Sequence, residues 1–159
     1  AQGYVTANTR ITNGPSGAIG AGLPYAIGAK VANPDTPVVA IMGDGTAGFH
    51  FAEFETAARE GVDLTIIIGN DSKWNAEHVI QQRDYGHDRA FGCSLQENTR
   101  YDIAATGLGC KGENITDLTL VEKMIEKSMS GTGTTCINIS LPGAPAPQYS
   151  NPRSGQIND

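Results

Sequence analysis

Two short polar groups in this chain have the residue types to hold a hard metal ion and a phosphate. One is Asp44, set between Gly43 and Gly45; the other is Asn70, which leads Asp71 and Ser72 and stands 26 positions further on. A carboxylate and a neutral amide oxygen make an all-oxygen site with one formal charge. That suits Mg²⁺, which commonly takes one or two protein carboxylates and fills its octahedron with phosphate oxygens and water. Gly43 and Gly45 let backbone come close to a phosphate, and the turn after Gly45 can offer N–H groups to it. By residue type alone, a surface turn at Asp44 and a helix cap at Asn70 fit the same letters.

The flanking elements decide whether the two groups meet. Residues 37–42 and 64–68 are short, β-branched and nearly all apolar, as expected of strands buried on both faces of a parallel sheet. If they are parallel neighbours, Asp44 and Asn70 emerge at one carboxyl edge, where open α/β folds bind ligands. Residues 49–60 read as an amphipathic helix with Phe51, Phe54, Ala57 and Ala58 at helical spacing, closed by Gly61. His50, at its start, reads as a polar cap-region residue. Asp71 and Ser72 are expected to cap a second helix over residues 74–82, whose N-terminus directs partial positive charge at the site. Trp74 and Asn75 stand at that terminus. The Asn75 N–H is thus a candidate phosphate donor, and the indole of Trp74, the only tryptophan, is either a pocket wall or a packing residue.

Elsewhere the pattern alternates. Residues 18–32 form a small-residue helix kinked at Pro24, able to lie close against a sheet or another subunit. Residues 83–99 read as a long loop or interrupted helix in which His87 and Asp88 are solvated surface. A helix over 101–107, a polar edge strand over 109–114, a helix over 116–130 with Leu118, Val121, Met124 and Ile125 inward, and a strand over 134–141 follow. This predicts an α/β fold, an open doubly wound parallel sheet with helices on both faces. One domain is expected over residues 1–147, with an extended or mobile tail over 148–159.

The 159 residues carry a net charge of −6 and a pI near 4.9, which argues against nucleic acid or an anionic membrane as main partner. No run approaches a membrane span. Cys93, Cys110 and Cys136 are odd in number and lack CxxC spacing, so they read as reduced structural thiols of a cytoplasmic protein. Ala1 in place of Met fits a processing boundary.

Gly43-Asp44-Gly45 closing on Asn70 resembles the diphosphate-binding signature of thiamine-diphosphate enzymes. The family often has two consecutive Asn, and here the first is Gly69; the ligand is normally the second. The resemblance implies Mg²⁺ held by Asp44, the Asn70 side chain and the Ser72 carbonyl. It implies thiamine diphosphate held by Gly43, Asp44, Gly45, Thr46, Asn70, Ser72, Trp74 and Asn75. A second motif, Gly17-Ala18-Ile19-Gly20, resembles the segment that cradles the cofactor's rings. By that likeness the Gly17 carbonyl accepts from the exocyclic amine, Ala18 lines the cradle, and Ile19 wedges between the rings, so Gly17 and Ile19 carry the catalytic conformation. A β-branched side chain is stiff enough for such a wedge.

The resemblance covers residues 12–147. The wording from Gly69 to Glu77 looks most similar to an acetolactate-synthase-like and benzaldehyde-lyase-like branch, whose members make or break C–C bonds next to a carbonyl, many with decarboxylation of a 2-oxo acid. It further implies a partner chain whose pyrimidine-binding domain carries the activating Glu, a small carbonyl or 2-oxo acid substrate, and an oligomer. A non-catalytic cofactor-binding or scaffold subunit is the alternative. A nucleotide-binding α/β domain is not expected, with neither a GxGxxG fingerprint nor a P-loop read in the chain.

Overall fold

The computed structural model describes residues 9–12 and 17–144. Its centre is a four-stranded, wholly parallel sheet in the order β1-β2-β4-β3, formed by β1 (Val39–Gly43), β2 (Thr65–Asn70), β3 (Lys111–Ile115) and β4 (Thr135–Ser140). The helices are α1 (Gly22–Ala32), α2 (Asp44–Ala47), α3 (Glu53–Arg59), α4 (Asn75–Tyr85), α5 (Tyr101–Gly107) and α6 (Val121–Met129). Among the described residues no helix is long and apolar enough to cross a membrane.

Successive residues of a strand point to opposite faces, so the apolar runs of β2 and β4 feed two cores. Ile66, Ile68 and Cys136 meet Leu23 and Ala26 of α1, Phe54 and Ala57 of α3, and Ala105 of α5. Ile67, Ile137 and Ile139 join Ile115 beneath Val121, Met124 and Ile125 of α6. The expected doubly wound α/β architecture, with helices on both faces, is the one observed.

Several local expectations require correction. β1 is not buried on both faces: Ile41 is 77% exposed although it pairs in register with the buried Ile67. β1 is an edge strand, and the α6 core closes over Ile67, Ile115, Ile137 and Ile139 without including Ile41. Helix α1 starts at Gly22 rather than at Ala18 and runs unbroken, so Pro24 falls in the first turn, where a missing N–H leaves no bond unmade. The amphipathic stretch over 49–60 is split between the end of a 3₁₀ turn (Gly48–His50) and α3. The aromatic rings show why: Phe49 meets Trp74 edge-on, whereas Phe51 packs on Phe54 and Tyr101. Gly61, at φ +63, does follow α3, and the Val62 N–H reaches the Ala57 carbonyl across it.

Leu118 is 53% exposed rather than inward, because residues 118–120 form a 3₁₀ turn capped by Asp117 and α6 begins only at Val121. Asp71 and Ser72 do not cap α4; its N-cap is Trp74, without a side-chain cap bond. The tail over 148–159 and most of residues 1–13 lie outside the described residues.

The two isoleucine environments give opposite expectations. Ile137→Ala, at a fully buried site, should destabilise the chain by about 2–5 kcal/mol. Ile41→Thr should stay within about 0.5 kcal/mol. Urea denaturation midpoints of the two variants check both.

Candidate functional site at the carboxyl edge of the sheet

The β1–β2 register sets Gly43 beside Gly69, so the next residue on each strand path, Asp44 and Asn70, leaves the sheet at the same edge. Both are buried, Asp44 at 2% and Asn70 at 6% exposure. A carboxylate so enclosed normally finds partners for both oxygens. Here Oδ1 accepts the Gly45 N–H at 2.9 Å, while Oδ2 has no hydrogen-bond partner among the described residues. Burial pushes the Asp44 carboxyl above its ordinary value, and the charge of Asp71 pushes the same way; the backbone N–H groups of Gly45, Ser72 and Lys73 pull against them. The result is a carboxylate held in place and short of positive charge.

Asn70 is fixed on both sides. Its Nδ2 donates to the Thr99 carbonyl at 2.9 Å and to Asn138 Oδ1 at 3.2 Å, and its Oδ1 accepts the Ser72 N–H at 3.2 Å. A backbone carbonyl only accepts and a backbone N–H only donates, so these contacts define which end of the amide is oxygen. Ser72 sits at φ +57, a left-handed conformation uncommon for a non-glycine residue. That turn brings both its N–H and its hydroxyl to the Asn70 oxygen and hands its own carbonyl to the Leu95 N–H at 2.8 Å. A carbonyl has two lone pairs, so the Ser72 oxygen keeps one acceptor position.

Trp74, Phe49 and Tyr101 stand with Asp44 and Gly45 around a pocket of about 400 Å³. A Cβ on Gly45 would come within 2.8 Å of three indole carbons, so a side chain there would displace the ring. Trp74 therefore both packs on the glycine and walls the pocket. Tyr101 titrates above its ordinary value, first through burial and then through the charge of Asp44. Thr46 is partly exposed in α2, and Asn75 opens α4 with its side chain on the Ala144 carbonyl at 2.8 Å.

The first motif is joined to the second through an unforeseen contact. His50 Nδ1 lies 3.0 Å from the Gly20 carbonyl, and since a carbonyl only accepts, that nitrogen carries the proton. Gly20 is held at φ +90, and a Cβ there would meet Phe49 Cβ at 2.6 Å and His50 Nδ1 at 2.9 Å. Gly17 is also in the left-handed region, at φ +60, with nothing among the described residues within 4 Å of where a side chain would be. Ile19 is 46% exposed and Ala18 is exposed beside it, so the apolar side chain is not core. His87 and Asp88 are exposed, as expected.

Asn138, Thr99 and Tyr101 escaped the sequence reading. Asn138 did leave a signal, being an amide in the middle of an otherwise apolar strand run. Against the expectation of no GxGxxG, the glycine spacing does spell it at Gly43, Gly45 and Gly48, directly after a strand and opening a helix. The dinucleotide reading needs an acid about 20 residues on that reaches the same edge. The residue at that distance, Asp63, precedes β2 and binds the Gly133 N–H at the opposite end of the sheet. Cys110 and Cys136 are free, with thiols pushed up by burial to about 11 and about 12, as inert structural thiols are.

Fold and site together define an open parallel α/β domain with a hard-oxygen pair at the carboxyl ends of adjacent strands. The chain belongs to the family of thiamine pyrophosphate enzymes, as their C-terminal TPP binding domain, whose family model matches residues 2–139. It is 31% identical over 142 residues to a probable acetolactate synthase of Mycobacterium bovis, covering 89% of this chain and 26% of that protein. It is 35% identical over 99 residues to human 2-hydroxyacyl-CoA lyase 2, covering 62% of this chain and 15% of that one. In structure it is similar to the thiamine diphosphate-dependent 4-hydroxybenzoylformate decarboxylase of Rhodococcus jostii RHA1, with a TM-score of 0.75 at 24% identity, over 82% of this chain and 24% of that chain. The chain thus spans about a quarter or less of the length of these relatives.

The raised Asp44 has a consequence for stability. The fold holds a proton there more tightly than the unfolded chain, so without metal this group's contribution to stability is fully present below the ordinary value of 3.8 and is lost as pH rises through the raised one. Asp44→Asn removes that charge. It should stabilise the metal-free chain at neutral pH by about 1 kcal/mol and flatten the pH dependence of its urea midpoint above pH 4.

Proposed function

We propose that this chain is the Mg²⁺- and diphosphate-binding part of a thiamine-diphosphate-dependent carboligase or lyase that makes or breaks C–C bonds next to a carbonyl, with 2-oxo acid decarboxylation. The observation that carries the reading is the buried Asp44 Oδ2, unpartnered among the described residues and set at the same sheet edge as Asn70. An orphaned buried carboxylate destabilises a fold, and a cation supplies what it lacks. A scaffold that never bound metal would gain by replacing it.

The donor set fits Mg²⁺ and no more than part of its shell. Asp44, the Asn70 amide oxygen once the Ser72 hydroxyl turns away from it, and the second lone pair of the Ser72 carbonyl are hard oxygens with one net charge between them. Among the described residues no three His, Cys, Asp or Glu side chains gather, so the remaining positions fall to diphosphate oxygens and water. Gly43, Gly45 and Thr46, with the Asn75 N–H at the start of α4, would face the diphosphate, and Trp74 would bound it. Thiamine diphosphate, when bound, supplies a thiazolium ring that adds to a carbonyl and accepts the electron pair of the broken C–C bond.

This chain's own contribution is to hold that cofactor in one shape. Gly17 would offer its carbonyl, Ala18 would line the ring pocket, and the exposed Ile19 would wedge between the rings. The opposite wall and the activating Glu would come from a pyrimidine-binding domain, so the working form would be an oligomer or a longer chain. A small carbonyl compound or 2-oxo acid would be the substrate.

In the complete assembly, Asp44→Ala should weaken thiamine diphosphate binding by tenfold or more, on the order of 1.4 kcal/mol or above, with only partial rescue by high Mg²⁺. Calorimetry reads this, and unchanged affinity would remove Asp44 from the site. Ile19→Ala should leave Mg²⁺-dependent binding within about threefold while slowing exchange of the cofactor's C2 proton by tenfold or more. Equal losses in both would reduce Ile19 to a packing residue.

A further inference from the structure

Three asparagines from three adjacent strands form a line of amides that ends at the site. Asn114 stands on the edge strand β3, Asn138 opposite it on β4, and Asn70 at the end of β2. Asn138 Nδ2 donates to Asn114 Oδ1 at 2.7 Å, and Asn70 Nδ2 donates to Asn138 Oδ1 at 3.2 Å. Every link runs the same way, with nitrogen facing the β3 side and oxygen facing the site.

Asn138 is 1% exposed in a strand whose neighbours Ile137 and Ile139 are core. A buried amide with its hydrogen bonds unmade is strongly unfavourable, and an apolar residue at this position would avoid the problem. Its use lies in direction. If Asn138 turned over, its Nδ2 would face the Nδ2 of Asn70, donor against donor. Asn70 Nδ2 would then lose this acceptor and face a donor, and only the Thr99 carbonyl and the Ser72 N–H would still hold the amide the right way round. Asn70's other nitrogen partner, the Thr99 carbonyl, belongs to a segment without regular structure, whereas Asn138 is fixed in the middle of the sheet.

We propose that Asn138 is a positioning residue for the metal site: hydrogen-bonded to Asn114, it acts with the Thr99 carbonyl and the Ser72 N–H to hold the Asn70 amide so that Oδ1 faces the ion. This rests on the reading of Asn70 Oδ1 as a Mg²⁺ ligand. Second-layer partners of metal ligands of this kind govern affinity by about 10- to 100-fold.

The test uses the full chain together with its pyrimidine-binding partner domain, and measures the Mg²⁺ concentration that half-saturates thiamine diphosphate binding by calorimetry, alongside metal-free thermal unfolding. Asn138→Leu should raise that concentration about tenfold or more. Asn138→Asp keeps an acceptor toward Asn70 and should restore it to within about threefold of the native value. In an Asn70→Asp background both ligand oxygens are alike and orientation is immaterial, so there the effect of Asn138→Leu should vanish.

Persistence of the effect in that background, or failure of Asn138→Asp to rescue, would make Asn138 a merely structural residue and overturn the proposal. Should Asn138→Leu not fold, Asn114→Ala on the exposed edge gives the same reading, with a smaller shift that also disappears with Asp at position 70; no shift would overturn the relay. Asn70→Ala separates the two layers of inference. If it raises the Mg²⁺ requirement while Asn138→Leu does not, the positioning role fails and the metal site stands; if it too has no effect, the metal reading itself falls and the proposal with it.

Discussion

Parallel pairing of β1 with β2, in the register that sets Gly43 beside Gly69, is the constraint on which the site depends. Side chains alternate along a strand, and a shift by one residue would exchange the faces of every β1 side chain relative to β2. The register is held by the cores. Met42 of β1 and Ile66 and Ile68 of β2 share one apolar cluster, and Ile67 fills the other. Asp44 and Asn70 lie one step beyond these fixed pairs, so the geometry of the polar site is set by apolar packing.

What the packing delivers is an unfinished electrostatic arrangement. Asp44 is enclosed, fixed by Gly45 and deprived of a partner on Oδ2. Asn70 is held from the nitrogen side by Thr99 and Asn138 and from the oxygen side by Ser72, whose left-handed conformation is the local strain that makes the contact. The loop after α4 is tied into the same unit, because the Trp74 N–H donates to the Cys93 carbonyl and the Leu95 N–H to that of Ser72. The Asp44 and Asn70 side chains are thus presented from backbone tied by hydrogen bonds on both sides.

The same economy appears at the motif from Gly17 to Gly20. Gly20 has room for no side chain against Phe49 and His50, and the His50 ring holds its carbonyl. The segment bearing Gly17 and Ile19 is therefore fastened to the turn that follows Asp44. Two sequence motifs separated by more than twenty residues become neighbours through one imidazole. Ile19 stays half exposed on this surface, free to touch a ligand or another domain.

The sequence by itself determined the strands that carry Asp44 and Asn70, their parallel α/β setting and the family, because strand-forming apolar runs and glycine-bracketed polar residues are local features. α5 was legible to the residue for the same reason, and the small residues before Lys30 announced a close-packed α1. Only tertiary structure decided which strand would be the edge: residues 37–42 and 64–68 are alike in composition, yet Ile41 is open and Ile67 buried, since burial depends on where α6 packs. The orphaned Oδ2 of Asp44, the His50–Gly20 contact and the directed line from Asn114 through Asn138 to Asn70 were equally beyond the sequence. Each joins residues 24 to 68 positions apart or follows from what surrounds a buried atom, and no local pattern encodes which distant donor or acceptor will be there.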